Sequence, residues 1–217
     1  MKTVIISDVH LTHRFDERKF LFLKELFSSC DRVILNGDFW DGYTTTFNRF
    51  ITSPWRKLFP LLRQKKAVYL YGNHDQKIFS DKRTSLFSVS QKDVYKIRSN
   101  NETYHIEHGH VLCPSIDMIF PISRGSLYYI NAAFQRLEKI FSFLKNPHNV
   151  ILRYQNLKTK KKLRKTHFSP WYLCGHTHYA EIDTKNRFAN SGYVQFGKAS
   201  YLIVDSSGLS LHTKKYR

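Results

Sequence analysis

Acidic residues and cysteines are the scarce components of this 217-residue sequence. Its three cysteines, Cys30, Cys113 and Cys174, are odd in number and far apart, with no C-x-x-C pair among them. That excludes a zinc ribbon and a dithiol redox motif, and the thiols read as reduced and mostly buried. No apolar run approaches the ~18 residues of a membrane span. The amino terminus enters the apolar run Val4-Ile5-Ile6 at once and then meets Asp8, so it has the character of neither a secretory signal nor a transit peptide. A cytoplasmic protein is expected, or one peripheral at the inner membrane surface. Only 17 Asp and Glu stand against 35 Lys and Arg, a formal charge of +18, and such an excess argues for an anionic partner. From Lys139 to Ala180 there is no acid at all.

What is present is enough apolar material for a substantial core: 41% of residues are hydrophobic and 15% aromatic. One α/β domain over residues 1–217 is expected, carrying an insertion at about 114–170. Thr3 to Ser7 reads as a strand. Asp16 caps a helix whose Phe20, Leu23, Leu26 and Phe27 recur at helical spacing, and that helix crosses over to a strand at Val33-Ile34-Leu35. A second amphipathic run through Phe47, Phe50, Ile51, Trp55 and Leu58 is expected to bend near Pro54 and Pro60. Strands follow at Ala67–Tyr71, Tyr104–Glu107 and Trp171–Cys174. Between them Ser126 to Lys145 predicts a helix with an apolar stripe of Leu127, Ile130, Phe134, Leu137, Ile140, Phe141 and Leu144, by default packed on its own core. Val150 to Lys165 predicts a strongly basic helix. Short strands at Phe188–Ser191, Ala199–Val204 and Leu209–His212 are expected to form an antiparallel layer, with a turn at Ser206-Ser207-Gly208.

Several of these apolar runs end in metal-capable side chains: Asp8 and His10; Asn36-Gly37-Asp38; Gly72-Asn73-His74-Asp75; His108-Gly109-His110; and Gly175-His176-Thr177-His178. Strand ends are where open α/β folds gather ligands. Asp8, His10, Asp38, Asn73, His108, His176 and His178 mix carboxylate, amide and imidazole donors without thiolate, which suits Mn, Fe, Zn or Co and argues against a closed structural zinc site. In an extended segment residues two apart point the same way, so Asp8 with His10, and His176 with His178, can address one centre or two neighbouring ones. Two divalent ions ~4 Å apart repel by about 16 kcal/mol at an effective dielectric of ~20. Asp38 is the expected bridging anion. A shared hydroxide is the expected second, because coordination lowers a water's pKa toward ~7. An imidazole beside the metals, held by a carboxylate, can act as general acid.

In the order D-x-H, G-D-x-x-D, G-N-H-D, H-G-H and G-H-T-H, these motifs resemble the calcineurin-like metallophosphoesterase superfamily from Asp8 to His178. The resemblance implies a β-sandwich of two mixed sheets flanked by helices. It implies one metal on Asp8, His10, Asp38 and His178 and another on Asp38, Asn73, His108 and His176. His74 matches the residue that contacts the phosphate and protonates the leaving oxygen, and Asp41 the carboxylate that orients it. The layout is most similar to the UDP-2,3-diacylglucosamine pyrophosphatase-like branch, through Ser7-Asp8-Val9-His10-Leu11, His108-Gly109 before Leu112-Cys113, the aromatic and basic helical insertion, and Asn190-Ser191-Gly192. Membership there implies hydrolysis of a pyrophosphate bond in a lipid-linked nucleotide at a membrane surface, with two Mn ions. Two positions depart from it, His74 where Arg is usual and His110 where Asp is usual. His74 is instead what general phosphodiesterases and phosphomonoesterases of the superfamily carry.

His110 is open to reading as a ligand, a substrate contact or a hydrogen-bonding support, and Asp75 as a support for His74 or a turn cap. Arg153, Lys158, Lys161, Lys162 and Arg164 of the basic segment are candidate contacts for an anionic phosphoester substrate. Such side chains can also attract an anionic bilayer, at ~1 kcal/mol each, or form a solvated face. A nucleic-acid or nucleotide phosphodiesterase would equally use the positive charge, through counterion release.

Overall fold

The computed structural model describes residues 1–119, 124–143 and 147–216. In chain order the elements are β1 (Thr3–Ile6), α1 (Glu17–Ser28), β2 (Arg32–Asn36), α2 (Phe47–Thr52), α3 (Phe59–Gln64), β3 (Val68–Leu70), β4 (Ser90–Lys92), β5 (Val94–Ser99) and β6 (Glu102–Glu107). Then come α4 (Ile116–Ile119), α5 (Arg124–Phe143), α6 (Pro147–Lys165), β7 (Trp171–Cys174), β8 (Glu181–Asp183), β9 (Phe188–Asn190), β10 (Val194–Gln195), β11 (Lys198–Asp205) and β12 (Gly208–Lys215).

Local chemistry explains the first crossover. The Asp16 carboxylate accepts the Lys19 N–H at 3.0 Å, satisfying an N-terminal donor of α1, and the helix buries Phe22, Leu23, Leu26 and Phe27 on one face. α2 and α3 are separated by a short 3₁₀ turn that begins at Pro54, where a missing N–H and a fixed φ favour a break.

Two mixed sheets result, as the resemblance implies. One runs β10-β11-β1-β2-β3-β4 with β12 paired to β11; the other runs β5-β6-β7-β9-β8. Strand alternation divides the apolar residues between two layers. Ile5, Ile34, Val68 and Leu70 meet Ile106, Leu173 and Ala189 of the facing sheet, whereas Val4, Ile6, Val33, Leu35 and Tyr69 face α1, α2 and α3. On the outer side of the second sheet, Leu163 of α6 packs with Tyr172, Cys174 and Phe188.

Three expectations are corrected. The tail strands do not form a single antiparallel layer: β9 joins the second sheet parallel to β7, while β11 and β12 pair in the first. β9 buries Ala189 between the sheets and Phe188 beneath α6, and burial on both faces suits a parallel strand. The stripe on α5 is not a core stripe throughout, since Leu127 is buried but Ile130 and Leu137 are exposed. For Phe134, Ile140, Phe141 and Leu144 the expectation lies outside the described residues and side chains. Third, Lys160 of the basic segment does not face solvent. It is buried, and its ammonium donates to Glu181 Oε1 at 2.7 Å and Asp183 Oδ2 at 2.8 Å, which ties α6 to β8.

That tie predicts an acid sensitivity. Burial disfavours ionisation of Asp183, but the hydrogen bonds from Lys160 and Asn186 outweigh it and hold the carboxyl down at about 2, against about 3.9 in an unfolded chain. The stabilisation is therefore complete above about pH 4 and is lost as pH falls toward 2. Lys160→Met should cost about 1–3 kcal/mol at pH 7 and flatten the pH dependence of urea midpoints over that interval; an unchanged slope contradicts the pairing.

Candidate metal centre

β1, β2 and β3 are mutually parallel, as are β6 and β7, and the segments leaving them meet. Asp8 N–H donates to Gly37 O at 3.2 Å, and the N–H groups of Val9 and His10 both donate to Asp38 O at 2.9 Å. These segments are not extended, contrary to the spacing argument. Asp8, His10, Asp38, His176 and His178 all have φ between +49° and +68°, a left-handed conformation that costs non-glycine residues energy and gathers at functional sites. The side chains converge because each turn reverses direction at the ligand, not because alternate residues share a face.

Among the described residues three groupings of metal-capable side chains arise: Asp8, His10 and His178; Asp38, His108 and His176; and His10, Asp41 and His74. Asp38 joins the first two. Its Oδ2 lies 3.8 Å from His10 Nε2 and 3.2 Å from His108 Nε2, while its Oδ1 accepts the His74 N–H at 2.8 Å. Asn73 Oδ1 is 3.2 Å from His108 Nε2, and His178 Nε2 is 3.1 Å from Asp8 Oδ1. All seven predicted ligand residues are thus at one place. Gly72 and Gly175 allow the approach, for a Cβ on the first would overlap the Asp38 carboxylate and on the second Ser7 and Asp8.

The donor set fits divalent cations on two observations. Both ring nitrogens of His10 are buried without a hydrogen bond, a costly arrangement unless something else coordinates them. Second, burial, reinforced by a neighbouring imidazole, pushes His10 down to about 4 and His176 to about 3, so both rings are neutral and available as ligands at neutral pH. Burial works against ionisation of Asp8 and Asp38 too, but His178 and His108 beside Asp8, and His108 and His74 beside Asp38, hold both carboxyls below the ordinary range. His108 goes the other way. Against burial, Asp38 and Asp8 raise it to about 10, and its Nδ1 lies 2.9 Å from Asn36 O, the kind of contact that orients a ligating ring.

His74 Nδ1 sits 3.2 Å from Asp41 Oδ1. Asp41 is held down to about 2, burial being outweighed by its contact with His74. An ionised carboxylate only accepts, so Nδ1 carries the proton and Nε2 is the nitrogen left to exchange one. Tyr43 flanks the ring at 4.3 Å.

Several supports escaped the sequence reading. The buried Asp75 carboxylate accepts the N–H groups of Asp38, Phe39 and Gly72 at 2.7–2.9 Å, so it neither orients the His74 ring nor caps a turn but staples two strand-end loops. Buried Lys19 donates to Val9 O at 2.9 Å, bracing the Asp8–His10 turn from α1. Asn131 of α5 donates to Asp41 Oδ2 at 2.9 Å. Asn156 of α6, wholly buried, accepts from Thr177 at 2.6 Å and donates to Tyr179 O at 3.0 Å, while Asn190 donates to Gly175 O at 2.7 Å. Only a lone polar residue within an amphipathic helix could have signalled Asn131 or Asn156, and that signal is weak. His110 makes ring contacts with His108 and His176 but belongs to none of the metal-capable groupings.

The basic candidates are not gathered with these ligands. Arg153, Lys158 and Lys161 are exposed on α6, with Lys158 over the Tyr154 ring. Arg164 donates to Asn186 at 2.7 Å. Lys162 donates to Leu112 O, next to Cys113, whose carbonyl lies 2.7 Å from His176 Nε2, so of the five it is the one tied to the rim.

The sequence profile of the calcineurin-like phosphoesterase family matches residues 1–180. Similar solved structures include an archaeal phosphodiesterase, with a TM-score of 0.52, 17% identity and coverage of 99% of this chain and 100% of that one. Zinc-complexed Vps29 from Entamoeba histolytica and the phosphoesterase YfcE from E. coli each give a TM-score of 0.49 at 13% identity, covering 100% of both chains. The archaeal likeness is one of fold. No curated protein sequence matches.

The Asn156 contacts carry a prediction that needs only metal as probe. Asn156→Leu keeps the helix but strips partners from the Gly175–His178 turn, and should lower Mn affinity by about 10–100-fold in calorimetric titration. Unchanged affinity would show that the turn holds its shape without α6.

Proposed function

Because the chain belongs to the calcineurin-like phosphoesterase family and is a metal-dependent phosphoesterase, we propose that it hydrolyses phosphodiester or pyrophosphate bonds with two divalent cations. Asp8, His10, Asp38 and His178 would hold one; Asp38, Asn73, His108 and His176 the other. Manganese is the expected metal. The observation that carries this reading is the Asp38 carboxylate, whose Oδ2 lies within 4 Å of a ligand imidazole from each grouping. When bound, the cations supply charge neutralisation and a water that ionises near neutral pH.

The chain's own residues do the rest. As an imidazolium, His74 delivers its Nε2 proton to the departing oxygen, while the Asp41 carboxylate accepts the Nδ1–H and holds the ring in place. Asn131 occupies the other Asp41 oxygen, so the carboxylate is held from both sides. His74→Gln should lower kcat on bis-p-nitrophenyl phosphate by about 10²–10⁴ with metal content by atomic emission unchanged. Loss of metal in that variant would assign His74 to coordination instead.

A second element of the reading concerns where substrate is met. α6 buries Leu163 but exposes apolar side chains in its N-terminal part. It buries Asn156, Thr159 and Lys160 yet exposes Val150 (69%), Ile151 (62%) and Tyr154 (57%) among cationic side chains, and Tyr129 of α5 is 74% exposed. Apolar groups interleaved with cations suit an anionic bilayer interface, which supports a cytoplasmic enzyme peripheral to a membrane and a lipid-linked substrate of the UDP-2,3-diacylglucosamine type. Arg153→Glu with Lys161→Glu should weaken co-sedimentation with phosphatidylglycerol-containing vesicles more than tenfold and leave the low binding to pure phosphatidylcholine unaltered. Equal binding to both vesicle types would remove the membrane from the account.

A further inference from the structure

Beside His178, on the side away from α5 and α6 in sequence, a cavity of about 520 Å³ opens between the turn that follows this residue and the β11–β12 hairpin. Its lining includes His178, Tyr179, Tyr193, Ser200, Lys198 and Lys215. The volume lies in the range of ordinary ligand sites. It shares His178 with the metal centre: the His178 ring is 5.6 Å from that of Tyr193, and His178 Nε2 is 3.1 Å from Asp8. Its shape is built rather than incidental. Gly192 has φ +72°, and a Cβ there would overlap Ser200 and Ala180. The Ser200 hydroxyl in turn accepts the Tyr193 N–H at 3.1 Å, which fixes the backbone of that lining residue.

The charges are arranged for an anion. Lys198 and Lys215 are directly opposite in the β11–β12 register, as are Ser200 and Thr213. Directly opposed residues on antiparallel strands project to the same face. An ammonium has three N–H donors, so two lysines on one face can each donate a charge-assisted hydrogen bond to one anion. Lys214 also lines the cavity, but it pairs with Ala199 in the register and so projects to the other face, with its ammonium 3.3 Å from Glu25.

We propose that this cavity is the subsite for a second phosphate group of the substrate, carried beyond the scissile phosphoester, with Lys198 and Lys215 holding that phosphate and Tyr193 lying against the group that links the two. This rests on the phosphoesterase reading above and adds a substrate class to it: phosphoesters that bear a further phosphate, of the kind found in nucleoside bisphosphates.

Two substrates with the same scissile bond and leaving group test it: thymidine 5′-(p-nitrophenyl phosphate) with and without a 3′-phosphate. The wild-type protein should favour the 3′-phosphorylated form about tenfold, chiefly through KM, and the preference should shrink as salt rises. Lys215→Glu, and separately Lys198→Ala, should bring the ratio of the two kcat/KM values close to one. A wild-type ratio of one, or a ratio that both variants leave intact, overturns the subsite while the phosphoesterase reading stands. Turnover of neither compound would instead count against that reading. In that event, calorimetric binding of thymidine 3′,5′-bisphosphate against thymidine 5′-monophosphate still decides the subsite: a Lys215-dependent preference supports it, and equal affinities sink it. Competition by oligothymidylate or by the bisphosphate identifies a strand or a free nucleotide as the source, and competition by neither overturns the proposal.

Discussion

A carboxylate buried as completely as Asp38 must be compensated by positive charge or hydrogen bonds, since its desolvation would otherwise favour protonation. The protein meets this demand with imidazoles on two sides, the His74 N–H on Oδ1, and a backbone held in place by a second buried carboxylate, Asp75. Around this point the molecule is organised: the parallel strands deliver their ends to it, and the left-handed turns at Asp8, His10, His176 and His178 aim inward. Glycines before Asp38, Asn73 and His176 are needed because the polypeptide itself is in the way; at Gly37 a Cβ would meet the His108 ring. Asp75 illustrates the same demand from the other direction. Burial and the nearby Asp38 charge push its carboxyl up to about 6, against which three backbone N–H groups accumulate.

The helical segment between β6 and β7 acquires a different meaning once its buried face is known. A helix normally turns its apolar side to the core, and α6 turns the amide of Asn156, the hydroxyl of Thr159 and the ammonium of Lys160 there alongside Leu163. Asn156 pairs with the Thr177 hydroxyl and the Tyr179 carbonyl, and Lys160 with the acids of β8. Asn131 does likewise for Asp41 from α5. Among the described side chains, these hydrogen bonds join the segment to both halves of the site, with Leu163 packed on the second sheet.

Much of the strand framework could be read directly. Val4-Ile5-Ile6, Val33-Ile34-Leu35 and Trp171–Cys174 are short, nearly uninterrupted apolar runs, as strands covered on both faces must be, and Pro54 marked the break after α2. β4, β5 and β8 could not be read. Ser90–Lys92 and Glu181–Asp183 are polar and short, and they become strands because a neighbour offers them a ladder. The tail was misjudged for a related reason, since nothing local tells Phe188–Asn190 that its partner is β7 and not the strand that follows it.

The site divides along the same line. Residue type and order alone determined which atoms are available as ligands, because carboxylate, amide and imidazole donors after successive apolar runs are chemical facts of the chain. Only the tertiary structure decided that Asp38 stands between two groupings, that Asp75, Asn156, Asn190 and Lys19 serve as braces, and that Lys160 is committed to Glu181 and Asp183. The physical reason is that a buried polar group takes its meaning from its partner, and here partners lie as far apart in the chain as Asp8 and His176. Opposed lysines at Lys198 and Lys215 show the limit most plainly: seventeen positions apart they are two unremarkable charges, and in register they face one another across a strand pair.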